Sequence, residues 1–176
     1  MRERREAQVT DEKRPRPVWW TRQYLEPYSL TEEEAWQVIQ SPPWYCVIAW
    51  VTKNCEPVAC AAAYVILDGK VMLSSTSNRD KVKAFRRNPA VSLCFESKGM
   101  KQVTARGKVE INSDRELVRR WVIEHLNTFE RSMSDEDKRI AVERYMSPDR
   151  VLLIAHIERL RSFDGRKMFQ AEQEQQ

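Results

Sequence analysis

The stretch that decides the fold is 73–95, "LSSTSNRDKVKAFRRNPAVSLCF". An apolar run ends in small hydroxyl residues. A short, very basic segment follows, then Asn88-Pro89, then a second apolar run. Ser77, with Asp80 three residues on, predicts a helix N-terminus, and Pro89 predicts the stop, giving a helix over about 78–87. On a helical wheel Val82 and Phe85 share an arc that faces a core, while Arg79, Lys83, Arg86 and Arg87 share another. Lys81 lies beside Val82 and Phe85, in the first turn, where the helix dipole favours an anion over a cation. A lysine there makes sense if it shares the site with a bound anion, a phosphate above all, held by backbone N–H groups. Ser75 and Thr76, just before the helix, are placed to donate further hydrogen bonds. The plainer alternatives are a solvated basic face for the main arc and, for Lys81, a stem lying along the core edge with its ammonium in water.

Outward from this segment the chain alternates strand and turn signals. "WYCVIAWVTK" (44–53) and "VACAAAYVIL" (58–67) flank the turn Asn54-Cys55-Glu56-Pro57. Asp68-Gly69 is a hairpin signal before "KVMLSST" (70–76). "AVSLCFES" (90–97), "KQVTARGKVEI" (101–111) and "RVLLIAHIERLRSF" (150–163) complete six strands. Thr31 with Glu34 makes a capping box ahead of a short helix that ends at Ser41-Pro42-Pro43. A helical insert follows the fifth strand. Ser113 with Glu116 starts its first helix, whose face is Leu117, Trp121, Leu126 and Phe129; Ser134 with Asp137 starts its second. The pattern predicts a mainly β fold with flanking helices, a small six-stranded barrel. The expected domain plan is a mobile charged tail over 1–17, a barrel domain over 18–168 with the insert at about 113–146, and a polar tail over 169–176. Trp19, Trp20 and Tyr24 are expected to pack on the body or on a partner.

Composition narrows the function. The 176 residues are 41% hydrophobic, enough for one sizeable core. No apolar run reaches membrane-span length, and the charged N-terminus lacks a signal-peptide core, so a cytoplasmic location is expected. Four glycines leave no Gly-rich nucleotide loop. Cys46, Cys55, Cys60 and Cys94 form no Cys-x-x-Cys pair, and His125 and His156 stand alone, so no metal site is expected and the cysteines read as structural thiols, with Cys55 the more exposed. A net charge of +4 is compatible with an anionic ligand without pointing to nucleic acid. A nucleic-acid reading of the basic arc needs surface aromatics among the charges, and only Phe85 is present, on the core side.

The order "DGKVMLSSTSNRDKVKAFRRNPAVSLCF…VTARGKVEI…RVLLIAHIERLRSFDGRKM" resembles the pyridoxamine 5′-phosphate oxidase-like, flavin-binding split-barrel superfamily over about 44–168. The resemblance implies a homodimer of six-stranded split β-barrels with FMN or coenzyme F420 in a groove between subunits. It implies cofactor contacts at Ser74, Ser75 and Thr76 at the strand end, and phosphate binding by Arg79 and Lys81. It also implies a ring lying against the small-residue strand at Ala61, Ala62 and Ala63. The ending "RLRSFDGRKM" lacks the Arg-Leu-x-Asp-Arg pattern of true pyridoxamine phosphate oxidases, so vitamin B6 oxidation is not expected. The "AFRRNPAVSL" and "DGRKM" segments look more like the branch in which coenzyme F420 is common. The implied function is flavin- or deazaflavin-dependent hydride transfer with a small-molecule substrate. The alternative is a non-catalytic split barrel that holds FMN, F420 or haem. Trp50, Tyr64 and Tyr24 are candidates for the substrate side of the groove.

Overall fold

The computed structural model describes residues 26–174 except 98 and 130–132; the charged tail and the aromatics Trp19, Trp20 and Tyr24 lie outside these residues. A 3-10 turn, Glu26–Tyr28, leads into α1 (Glu32–Ile39). Then come β1 (Tyr45–Val51), β2 (Pro57–Leu67), β3 (Lys70–Thr76), α2 (Asp80–Arg87), β4 (Ala90–Ser97) and β5 (Lys101–Asn112). The insert contributes α3 (Arg115–Asn127) and α4 (Asp135–Tyr145), and β6 (Arg150–Asp164) and α5 (Gly165–Gln173) end the chain. The strands close an antiparallel barrel in the order β1-β2-β3-β6-β5-β4.

Local chemistry explains most boundaries. Asp68 and Gly69 both adopt positive φ (50° and 71°), the hairpin turn that their sequence signals. Thr31 and Glu34 exchange both capping-box hydrogen bonds, and Ser134 accepts from the Asp137 N–H. Two caps differ from the sequence reading. Asp114, not Ser113, accepts from Leu117 N–H and starts α3. Ser77 does not cap α2, because Asp149 engages it: its N–H donates to the Asp149 carbonyl at 2.8 Å and its hydroxyl to the Asp149 carboxylate at 3.5 Å. The helix therefore begins two residues later than expected, at Asp80, with Arg79 as the N-cap residue. A third difference is α5, which is helical across residues that the sequence assigns to a polar tail; Asp164, buried at the end of β6, caps it through Arg166 N–H.

The barrel interior holds Ile48, Tyr64, Val71, Leu73, Leu93, Phe95, Val103 and Leu153, and α1 and α2 close over it with Ile39, Val82 and Phe85. At Gly107 an added Cβ would lie 1.9 Å from the His156 carbonyl oxygen, so the β5–β6 bulge admits only glycine at this position. A second core lies outside the sheet, where Val65, Leu67, Met72, Leu152 and Ile154 pack under Val118, Trp121, Val122 and Leu126 of α3. The buried α3 face is thus Val118, Trp121, Val122, His125 and Leu126; Leu117 is half-buried and Phe129 exposed.

Candidate functional site

The β2–β3 ladder is short. It runs from Leu67↔Lys70 to Tyr64↔Leu73 and stops. Beyond it β2 continues from Ala63 back to Pro57, paired only with β1, while Ser74–Thr76 of β3 pair with β6. The two strands diverge and, among the described residues, leave one edge of β2 without a strand partner; unpaired edge N–H and C=O groups can meet a ligand. The side chains along that edge are small: Ala59, Cys60, Ala61, Ala62 and Ala63.

The start of α2 sits across this opening. Lys81 reaches from the first turn to β2, its Nζ 3.6 Å from Cys60 Sγ, and is half-buried. Arg79 is exposed and makes no side-chain cap, whereas α1, α3, α4 and α5 each have one. The first N–H groups of a helix have no intrahelical acceptor, so an uncapped N-terminus offers them outward with the positive end of the dipole. Lys83, Arg86 and Arg87 are exposed; Lys83 meets Asp80 at 3.7 Å and Arg87 donates to the Lys83 carbonyl at 3.0 Å. Val82 and Phe85 are buried as the wheel predicts.

Strand alternation sorts the remaining site residues onto two faces. Ser75 lies on the interior face with Val71 and Leu73 and is buried; Ala62 and Cys60 share that face with Tyr64. Ala61, Ala63, Ser74 and Thr76 lie on the outer face. There a residue that sequence reasoning missed joins them. Arg150, at the start of β6, donates from Nη1 to Ser74 Oγ at 2.8 Å and from Nε to the Tyr145 carbonyl, and its guanidinium lies 5.4 Å from the centre of the Tyr145 ring. Burial and the nearby Arg115 charge work against its protonated form. Ser74 accepts from Arg150 and so keeps its O–H free to donate elsewhere.

Tyr64 does not line the groove. It is 1% exposed and donates its hydroxyl to the Ile39 carbonyl at 2.8 Å, and burial pushes its phenol far above the usual value. Trp50 packs against Phe85 at the edge of the core. The cysteines divide: Cys46 is buried, its thiol pushed up to about 12 by burial, whereas Cys55 and Cys94 are exposed. Cys94 thus departs from the expected buried thiol, because β4 alternation turns it outward next to Val47. Among the described residues no three of His, Cys, Asp and Glu gather as a metal set, and no helix is long and apolar enough to cross a membrane.

The sequence model of the pyridoxamine 5′-phosphate oxidase family matches residues 31–164. The chain belongs to that family. Its barrel is also that of several solved structures. A conserved hypothetical protein of Mycobacterium tuberculosis superposes with a TM-score of 0.72 at 24% identity, over 82% of this chain and 91% of that one. A structure named F420 reductase gives 0.55 at 19% identity, over 70% and 93%. A pyridoxamine 5′-phosphate oxidase-related, FMN-binding protein of Nostoc punctiforme gives 0.56 at 14%, over 78% and 87%. At these identities the likeness is one of fold. No curated protein sequence matches the chain. The opening between β2 and β3 and the start of α2 carry the positions at which the resemblance implies cofactor contacts.

Proposed function

We propose that this family member is a flavin- or deazaflavin-dependent oxidoreductase that binds FMN or coenzyme F420 at the β2–β3 opening and acts on a small organic substrate. The observation that carries the reading is Lys81: a first-turn lysine turned toward the free edge of β2, beside a helix N-terminus without a side-chain cap. That donor set suits a phosphate. The strand edge with its row of small side chains suits a flat ring brought against backbone. The neighbours named F420 reductase and FMN-binding protein support a flavin-type cofactor, and the "AFRRNPAVSL" and "DGRKM" segments favour F420.

When bound, such a cofactor supplies two-electron transfer chemistry. The chain's own residues do the holding. Lys81, Arg79 and the first-turn N–H groups of α2 neutralise the phosphate. Ser74, its Oγ held by Arg150, offers a hydroxyl donor on the outer face beside Thr76, whose own hydroxyl donates to Asn78 Oδ1 at 2.7 Å, while Ser75 sits on the interior face. Ala61, Ala62 and Ala63 set the plane of the ring. A homodimer completes the groove in this reading; Val47 (43% exposed) and Val51 (38% exposed) share an outer sheet face with Ala59 and Ala61 and form an apolar stripe that a second copy would cover. The proposed setting is the cytoplasm.

The test is the absorbance spectrum of the purified protein, then titration with FMN and with coenzyme F420, then turnover of the reduced cofactor with candidate acceptors. Saturable binding of one cofactor followed by reoxidation with an acceptor supports the oxidoreductase. Binding without turnover would favour a storage or sensing barrel, and binding of neither cofactor would end the proposal.

A further inference from the structure

A cavity of about 1200 Å³ lies between the Pro42–Tyr45 segment and the helical insert. It exceeds the roughly 300–1,000 Å³ of common small-molecule sites. Its walls are aromatic and aliphatic: Trp44, Tyr45, Phe129, Ile140 and Tyr145. Three of the chain's exposed large apolar residues, Tyr45 (56%), Phe129 (39%) and Ile140 (44%), line it. These side chains gain nothing from water, and together they make one apolar hollow.

The far wall is braced from behind. His125, buried and neutral-leaning because burial and Arg150 oppose its protonation, stacks on Trp121 at 4.8 Å and meets the rings of Phe129 at 5.0 Å and Tyr145 at 5.8 Å. Those contacts fix two wall rings before any ligand arrives.

Charge narrows the occupant further. Asp137 also lines the cavity; its carboxylate accepts from Ser134 Oγ at 2.6 Å in the helix cap and keeps its negative charge. Arg144 lines it too, and among the described residues no carboxylate lies within ion-pair distance of it. Among the described residues the cavity therefore presents aromatic walls, the Arg144 guanidinium outside any ion pair, and the Asp137 carboxylate engaged by Ser134.

Position ties it to the candidate cofactor site. Tyr45 stands opposite Ala63 in the β1–β2 register, on the outer face. Tyr145 holds Arg150, which holds Ser74. Two cavity residues, Tyr45 and Tyr145, thus adjoin residues of the outer side of the β2–β3 opening, Tyr45 through its partner Ala63 and Tyr145 through Arg150. We infer that the cavity is the substrate site and that it takes a planar, multi-ring, mostly apolar molecule carrying one anionic group that meets Arg144. The substrate role rests on the cofactor reading above; the binding site does not.

The probes are 1-anilinonaphthalene-8-sulfonate, a planar aromatic anion, and N-phenyl-1-naphthylamine, its uncharged counterpart. Each is titrated by fluorescence into the full-length protein, wild type, Ile140→Glu and Arg144→Gln, with and without FMN or coenzyme F420. The wild type is expected to bind the anion saturably at one site per chain. Ile140→Glu, which puts a carboxylate into the hollow from an exposed position, should weaken both probes about tenfold or more. Arg144→Gln should weaken the sulfonate about tenfold and leave the neutral amine unchanged. Sedimentation velocity of the variants, with circular dichroism to verify folding, completes the test. Probe binding indifferent to both substitutions would overturn the inference. So would equal weakening of both probes by Arg144→Gln. Dissociation of an assembly by Ile140→Glu would overturn it as well, by making the hollow a seat for a second copy. If the cofactors fail to bind while the probes behave as expected, the oxidoreductase reading falls and the binding site stands. If a cofactor binds while the probes ignore the substitutions, the cavity inference falls alone.

Discussion

The N-termini of α1 and α4 and the N-terminus of α2 solve the same problem in opposite ways. α1 opens with Thr31 and Glu32, Glu33, Glu34; α4 opens with Ser134 and Asp135, Glu136, Asp137. Each satisfies its own N–H groups with a hydroxyl cap and answers the dipole with carboxylates. α2 has no side-chain cap, a single Asp80 in its first turn, and Lys81 turned toward the free edge of β2. The first two helices are finished by their own sequence. The third is left with donors and positive charge beside an opening in the barrel, and in the proposed reading an anion completes it. Under the proposed function the contrast separates helices that serve stability from one that serves binding.

The strongest way to break this contrast is to unseat α2. Phe85, 3% exposed, anchors the helix to the core beside Trp50. Phe85→Ala should cost about 3–5 kcal/mol in chemical denaturation. A loss near that of a surface substitution would mean that α2 is not held rigidly enough to place Lys81.

Next in size is the charge itself. Lys81→Ala removes a charge-assisted contact worth about 1.5–3 kcal/mol, so cofactor affinity should fall roughly tenfold or more. Lys83→Ala, on the exposed arc, should change it little. Equal small effects would reduce Lys81 to a surface cation.

Exchanging the two solutions sharpens the contrast further. Arg79→Asp gives α2 the cap that the other helices have, and should raise the thermal midpoint of the cofactor-free protein while weakening cofactor binding. Ser134→Ala takes the cap from α4 and should cost about 1 kcal/mol of stability with cofactor affinity unchanged. If both substitutions moved stability alone, the two N-termini would be equivalent after all.

The smallest effect concerns His125. Burial first, and the Arg150 charge second, hold its imidazole below the usual value of 6.5. The unfolded chain then takes the proton first, so the stability this neutral ring contributes is present above the unfolded pKa and is lost as pH falls through the lower folded value. Thermal midpoints measured from about pH 7.5 to about pH 5 should fall more for the wild type than for His125→Phe. Parallel curves would remove His125 from the acid response.

Much of the frame was legible in the sequence because its signals are local. The bounds 70–76 and 90–97 of β3 and β4 follow from Asp68-Gly69 and Asn88-Pro89, and the core faces of α2 from spacing alone. Where two candidates for a cap competed, sequence could not decide: Ser77 is engaged by Asp149, 72 residues away, and Asp114 outcompetes its neighbour Ser113. Tyr64 is a groove candidate in sequence, with core packing the stronger reading, and its burial and the bond of its hydroxyl to the Ile39 carbonyl place it in the core. Arg150 gave no local sign, since its partner Ser74 is 76 residues distant and only the β3–β6 register brings them together. The divergence of β2 from β3 is likewise a property of the closed barrel rather than of either strand.

The most direct test compares FMN with riboflavin, and coenzyme F420 with its phosphate-free ribityl deazaflavin, by titration into wild type and Lys81→Ala. If the start of α2 grips the phosphate, the wild type should prefer the phosphorylated partner by about tenfold or more, and the substitution should erase most of that preference. A wild type that binds both members of the pair equally, or a preference that survives without Lys81, would contradict the account.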